Sequence, residues 1–537
     1  MKNLSLLDCT LRDGGRIINC DFTQDVIVGI GKQLRKAQID IIELGFLRGG
    51  VSNNSDSTFF TSVSCANKIV NKIHSDGKID RKYVLFVDHG LYDVEQLEKA
   101  SGNGISGIRY GFKKQDFYEK RDKLYKEIWY IKKQGYDLYL QDVNTIGYSF
   151  EEMDELICFS NEVLPKTFGI VDTYGAMYLD DLEKVWKHVE KRLDKSIGID
   201  FHSHNNMQMS FALAQRIIQL VGEERNLIID ATLNGMGKCA GNLNTELIVD
   251  FLARKKGYDY DLDAVLDAID RFLYPIKRGH EWGYTIPAFM AGIYKSHPNN
   301  VIYLTEKYRL NSKDIKYILS EIDEEKRRGY DYDNIDRVYR QYSQCQVDDY
   351  DTILELKDMF KNKKVLVLVP GSSVEKYYDR IQRYIDEVEP IVLGVNFVSK
   401  RFFCDFMFYA NTIHWEKIND IIDRKRCIVT SNIHSDIEDA YIVNYSSLID
   451  ENSMLYDNST IMLLNLLERL QVSEIMLAGF DGLRENCQNY IDNTFPKVKS
   501  ELDYKKINAE VKKMYRKFCS KVKGKIVVGL LTPSKYK

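Results

Sequence analysis

Short apolar runs alternate with amphipathic stretches eight times between residue 1 and about residue 275. The runs are 4–9, 39–46, 82–88, 104–112, 137–143, 167–173, 196–204 and 226–233. Apolar residues at helical spacing mark 23–38, 91–101, 115–134, 149–163, 179–193, 206–222 and 243–256. Continuous apolar runs are the pattern of strands buried on both faces, and parallel neighbours need a crossover connection, usually a helix. Eight such units in this length predict a closed (β/α)8 TIM barrel. An open doubly wound sheet would usually use fewer strands.

At 537 residues the chain is too long for one ordinary domain. Residues 276–358 lack strand signals and read as a helical annex. From 359 to 537 strands return (KKVLVLVPG, EPIVLGVNF, FMFYANT, RCIVTSN, AYIVNYS, SEIMLAGFDG, KIVVGLLTPS) with a helix at 459–470, predicting a second, Rossmann-like α/β domain. A net charge of −4 gives no general attraction to nucleic acid or membrane. No window approaches the roughly 20 apolar residues of a membrane span, and the N-terminus has no apolar leader. Ten scattered cysteines without a CxxC pair read as reduced thiols, so a cytoplasmic protein is expected. The basic stretch 505–525 reads as a solvated amphipathic helix.

Polar residues collect at the strand ends: Arg12 and Asp13, Glu43, Asp88, Arg109, Asp142, Asp172 and Thr173, His202 and His204, and Asp230. Loop polarity and helix capping account for such residues one at a time. On eight strands together they predict one working face at the C-terminal end of the barrel. In HSH (202–204) the two histidines stand at i and i+2, on the same side of a strand, so both imidazoles can reach one ion. One carboxylate (Asp13), two imidazoles and the amide oxygen of Asn242 would suit a divalent metal. Asn242 equally suits a helix N-cap, and Cys239 beside it reads as a passive loop thiol.

The motifs TLRDGG (10–15), IELGF (42–46), DTYG (172–175), HSHNN (202–206) and GMGKCAGNLNTE (235–246) together resemble the DRE-TIM metallolyases. That family includes hydroxymethylglutaryl-CoA lyase, isopropylmalate synthase and 4-hydroxy-2-oxovalerate aldolase. The resemblance spans about 1–320. It implies that Asp13, His202 and His204 bind a divalent metal (Mn, Mg, Zn or Co), with Asn242 as an added ligand. It also implies that Arg12 stabilises an enolate oxygen as a C–C bond forms or breaks. The aldolases carry a histidine base three positions after the metal aspartate, where this chain has Arg16, which cannot take a proton at neutral pH. Arg16 would bind an extra anionic group, and the proton would pass through Tyr284, His280, Glu43 or a metal-bound water. The expected reactants are a 2-oxo acid and an aldehyde, and a homo-oligomer is expected. A Claisen-type synthase using an acyl-CoA is the alternative enzyme; a non-catalytic scaffold is the alternative from another class.

The C-terminal segments VLVLVPGSSVEKY, IVLGVNF, FMFYANT, 457–482 and VVGLLTPS are similar to bacterial sialyltransferases and related Rossmann-like proteins of surface-glycan synthesis. That similarity implies a nucleotide or nucleotide-sugar site at Gly371, Ser372, Asn396, Asn411 and Asp481, and a place in sugar or surface-polysaccharide metabolism. The strand–PGSS–helix turn has the shape of a phosphate cradle.

Overall fold

The computed structural model describes residues 3–537 apart from 52–53, 55, 76, 308–309, 311, 344–345, 418–421, 435–436, 451–452, 454, 456, 485–488 and 491–500. The chain divides into two compact units, Met1–Thr305 with Ile322–Asp331, and Glu306–Glu321 with Tyr332–Lys537. The stretch 276–358, which the sequence groups as one annex, is shared between them. Helices Tyr274–Lys277, Ile286–Ile293 and Glu324–Arg328 go with the first unit. Helices Ser312–Glu321, Tyr332–Ser343 and Tyr350–Phe360 go with the second.

The first unit is a closed eight-stranded parallel barrel. Its strands are β1 (Leu4–Asp8), β2 (Ile41–Leu47), β3 (Lys82–Asp88), β4 (Ile105–Phe112), β5 (Asp137–Asp142), β6 (Thr167–Asp172), β7 (Gly198–Ser203) and β8 (Leu227–Ala231). Each pairs with the next, and β1 closes the ring by pairing with both β8 and β2. Alternation along the strands separates two environments. Leu4, Leu6, Ile42, Leu44, Leu138, Leu140, Ile199 and Phe201 face the helices, while Leu7, Ile41, Val84, Tyr139 and Ile228 pack inside the barrel. Serines and a threonine start the crossover helices: Thr23 accepts from Val26 N, Ser62 from Cys65 N, and Ser149 forms a capping box with Glu152.

One predicted helix does not form. Residues 91–101 contain only the single turn Val94–Gln96, begun by Asp93. The hydroxyl of Tyr130 takes the carbonyl of Glu95, which a helix would need for itself, and the hydroxyl of Tyr136 takes that of Glu98. The β3–β4 crossover thus lacks a long helix, while a helix at Val63–Ile73, absent from the sequence expectation, makes the β2–β3 crossover.

The second unit is built on a seven-stranded parallel sheet: β9 (Lys364–Leu368), β10 (Ile391–Val395), β11 (Phe406–Tyr409), β12 (Cys427–Thr430), β13 (Tyr441–Val443), β14 (Glu474–Ala478) and β15 (Val527–Leu530). Its order is β13-β12-β11-β10-β9-β14-β15, so the chain reverses direction between β9 and β14. Both faces are covered. Val365, Val367, Leu393 and Phe408 pack beside the helices Ser459–Arg469 and Glu501–Lys521, and Leu366, Leu368, Val392 and Met407 beside Tyr378–Val388. The eight described cysteines are free thiols; Cys345 and Cys487 lie outside the described residues. No helix among the described residues is long and apolar enough to cross a membrane.

At the reversal, Gly479 has φ +82° and its missing Cβ would lie 1.9 Å from the Val369 carbonyl oxygen. Gly479→Ala is therefore expected to lose roughly 2 kcal/mol or more. Calorimetry should show one unfolding transition moving to lower temperature, with the barrel transition unchanged.

Candidate active site at the barrel mouth

Above the apolar interior lies a buried layer of charge. Arg109, fully buried on β4, donates from Nη1 to Glu43 (3.0 Å) and from Nη2 to Asp200 (3.1 Å) and Asp230 (2.5 Å). Gln141 donates to Asp200 at 2.7 Å. Glu43, Arg109, Gln141, Asp200 and Asp230 all occupy inward positions of their strands. Burial, with the Asp230 charge adding to it against Arg109, pushes the Asp200 carboxyl far above the usual range. For Asp230 the burial cost is outweighed by Arg109 and by the hydrogen bond from His202, which hold it near 2.

The next level up carries the metal-ligating candidates of the sequence motifs. After β1 the backbone turns tightly, with Cys9 O accepting from Arg12, Asp13 and Gly14 N–H groups. This turn delivers Arg12 and Asp13 to the mouth. Arg12 donates from Nε to Glu43 and from Nη1 to Asp13 Oδ1, both at 2.6 Å. His202 gives Nδ1 to Asp230 at 2.9 Å and presents Nε2 3.9 Å from Asp13 Oδ2, while His204 Nε2 lies 3.8 Å from the same oxygen. The loop after β8 returns Asn242 to this point. Asn242 bridges to His204, and the Asn205 amide donates to Gly241 O at 2.8 Å. Gly241 has φ +78°, and a Cβ there would sit 1.8 Å from Gly235 O, so only glycine lets the loop fold back this closely.

Ligand-capable atoms of Asp13, His202 and His204 all lie within 4.8 Å of one another. Asn242 donates Nδ2 to Asp13 Oδ2 at 2.9 Å and leaves its buried Oδ1 without a partner. Burial would raise the Asp13 carboxyl, but Arg12, then His204, His202 and Arg16, hold it well below the usual range. Burial lowers His204 to about 4, so its ring is neutral with a lone pair to give. An anionic carboxylate, two imidazoles and an unpaired amide oxygen fit a divalent cation. A second cluster, Cys9, His202 and Asp230, does not fit one, because burial keeps the Cys9 thiol protonated and His202 Nδ1 is spent on Asp230.

The other expected residues fall differently. Asp142 and Asp172 share a side of their strands with Leu140 and Ile170 and face away from the barrel interior. Asp172 accepts from the Ala176 and Met177 amides, bracing a loop. Glu43 is held by two guanidinium groups beneath the ligands. Tyr284 is 52% exposed, on a loop tied to the glycine loop by Gly283 N donating to Cys239 O and Trp282 donating to Asn234 O. His280 is exposed on the same loop. Cys239 is pushed up to about 11 by burial. Sequence reading passed over Asp200 and Gln141; counting back two residues from His202 would have found Asp200, on the same strand face.

In the second unit Gly371, Ser372 and Asp481 meet where the sheet reverses, the usual ligand crevice of such sheets. The helix-start amide of Ser373 is already taken by Asp481 Oδ2 at 2.8 Å, and the Ser373 hydroxyl bonds Asp481 and Thr532. The cradle expected from PGSS is thus filled by the chain's own carboxylate. Asn396 donates to Ser459 at 2.9 Å, and Asn411 caps the helix Thr412–Glu416.

Arg109→Met is expected to destabilise the barrel by about 3–5 kcal/mol, because three acids would lose their shared cation. Urea unfolding measures this. Asp13, depressed in the folded state from an ordinary value of 3.8, contributes stability that is present above that value and lost on acidification through the lower folded one. The stability gap between the wild type and Asp13→Asn should hold from neutrality to about pH 5 and shrink below about pH 4.

Residues 3–270 match the HMGL-like family. The chain is 26% identical over 331 residues to a 4-hydroxy-2-oxovalerate aldolase of Carboxydothermus hydrogenoformans, covering 58% of this chain and 90% of that protein. It is 25% identical over 301 residues to a 2-isopropylmalate synthase of Sulfolobus acidocaldarius, covering 54% and 71%. Among solved structures, the HMG-CoA lyase of Bacillus subtilis aligns with a TM-score of 0.39 at 16% identity, over 51% of this chain and 92% of that one. Through its barrel, the chain belongs to the HMGL-like family of DRE-TIM proteins.

Proposed function

We propose that the barrel is a divalent-metal-dependent aldolase or lyase that makes or breaks a C–C bond through the enolate of a 2-oxo acid. The observation that carries this is the convergence of Asp13, His202 and His204 within 4.8 Å, with the Arg12 guanidinium bonded to the same aspartate. Asp13, His202, His204 and the unpaired Asn242 oxygen would hold the metal, whose chemistry is to draw electrons from a chelated 2-oxo group. The chain's own residues supply the rest. Asp230 fixes the His202 ring so that Nε2 faces Asp13. Arg12, clamped by Glu43 and Asp13, holds a positive charge ready for the enolate oxygen, at no cost in reorganisation during reaction. Arg16 cannot serve as base, and Glu43 is committed to two arginines. Tyr284 and His280, on the loop fastened to the glycine loop, are the side chains left to move the proton. A relative named isopropylmalate synthase supports a second reading, a Claisen-type synthase using an acyl-CoA.

Metal analysis and NMR-detected exchange of the C3 protons of pyruvate test the proposal together. Asp13→Ala and His202→Ala should lose bound metal and exchange. Arg12→Ala should keep the metal and lose roughly 10²–10³-fold in exchange rate, as for removal of an oxyanion donor. Exchange confined to the methyl protons of acetyl-CoA would favour the synthase, and a protein that takes up no metal would end both readings.

A further inference from the structure

Arg16 stands at the mouth of the barrel among more positive charge than its surroundings balance. Its guanidinium lies 4.6 Å from the centre of the Phe46 ring, and Arg48 lies 5.6 Å from the same ring. Both arginines reach for a single carboxylate, Asp88, at 3.8 and 3.4 Å. Arg16 also approaches Asp13 Oδ1 at 3.3 Å, but that oxygen already accepts from Arg12 at 2.6 Å. Lys238, on the glycine loop, is partly withdrawn from water and forms no ion pair among the described residues. Lys238, Lys113 and Arg16 all act on His297, which burial first and these cations next push down to about 4.

The bland account is that Phe46 and Asp88 simply park two surface arginines. The distances argue against it. Charge-assisted bonds to a committed partner run to about 2.7–2.9 Å; Arg12 meets Glu43 and Asp13 more closely still, whereas the ion pairs of the Arg16 and Arg48 guanidiniums among the described residues are 3.3 Å or longer. These cations are held in place by an aromatic face and left open to a stronger acceptor.

We propose that the substrate carries a second anionic group, a carboxylate or a phosphate, which docks between Arg16 and Lys238 beside the ligand cluster of Asp13, His202 and His204. This rests on the aldolase or lyase reading for the remainder of the substrate. Arg16 is then a specificity-determining residue: it occupies the place of a base and recognises charge on the reactant instead. Arg48, through Asp88, sets how firmly Arg16 is held.

Calorimetric titration of the full-length, manganese-loaded protein with glycerol 3-phosphate, succinate and glycerol tests the site. At least one of the anions should bind and glycerol should not; the tighter anion tells phosphate from carboxylate. Arg16→Gln and Lys238→Gln should each weaken that binding by about tenfold or more, as expected for loss of a charge-assisted contact. Asp88→Asn, which removes the competing acid, should tighten it severalfold, an effect that misfolding does not imitate. Binding should persist after the metal is removed with EDTA. Absence of binding by both anions, equal affinity in the wild type and both glutamine variants, or binding that vanishes with the metal would each overturn the inference. Exchange of pyruvate C3 protons, measured on the same preparation, separates the two readings. Exchange without anion binding sinks the inference alone, and anion binding without exchange leaves the site standing while the aldolase reading falls.

Discussion

The mouth of this barrel depends on Arg109. A fully buried guanidinium in contact with three acids is costly to form and costlier to break, because three buried acids would lose the cation they share. What the arrangement gains is orientation. Glu43 links Arg109 to Arg12, and Asp230 links it to His202, so one cation fixes both the residue assigned to the enolate and a residue assigned to the metal. Neither Arg12 nor His202 could swing away without uncovering charge beneath it.

Asp13 divides its labour by oxygen atom. Oδ1 faces the guanidiniums of Arg12 and Arg16, and Oδ2 faces His202, His204 and the Asn242 amide. The carboxylate thus has one side turned to fixed positive charge and one to two imidazoles and an amide. That asymmetry suits a group that must hold a cation on one flank while a cationic side chain works on the other.

Much of this architecture was legible in the chain. Strand burial on both faces wrote eight apolar runs, and the spacing of His202 and His204 disclosed a shared side. The stretch 91–101 misled because its apolar spacing is helical, yet the tyrosines that capture its carbonyls lie more than thirty residues away. Asp142 and Asp172 looked like site residues because position along a strand is visible in sequence, whereas the side it faces needs the register. The PGSS turn has the local shape of a cradle, but nothing local reveals that Asp481, assigned to the same site and more than a hundred residues on, accepts from its Ser373 amide. Arg48 and Lys238 belong to no motif; only folding brings them toward Arg16.

The closure of the ring has a consequence for the order in which the protein comes into being. β1 pairs with β8 from Leu4–Leu227 to Asp8–Ala231, and the ligand cluster straddles this seam, drawing Asp13 from just after the first strand and His202, His204 and Asn242 from the last quarter of the barrel. During synthesis Asp13 waits, unmatched, until some 230 further residues have left the ribosome. A metal held there would add a clasp across a seam that the backbone pairing of β1 with β8 already closes, joining the chain's first strand to its last by side chains as well.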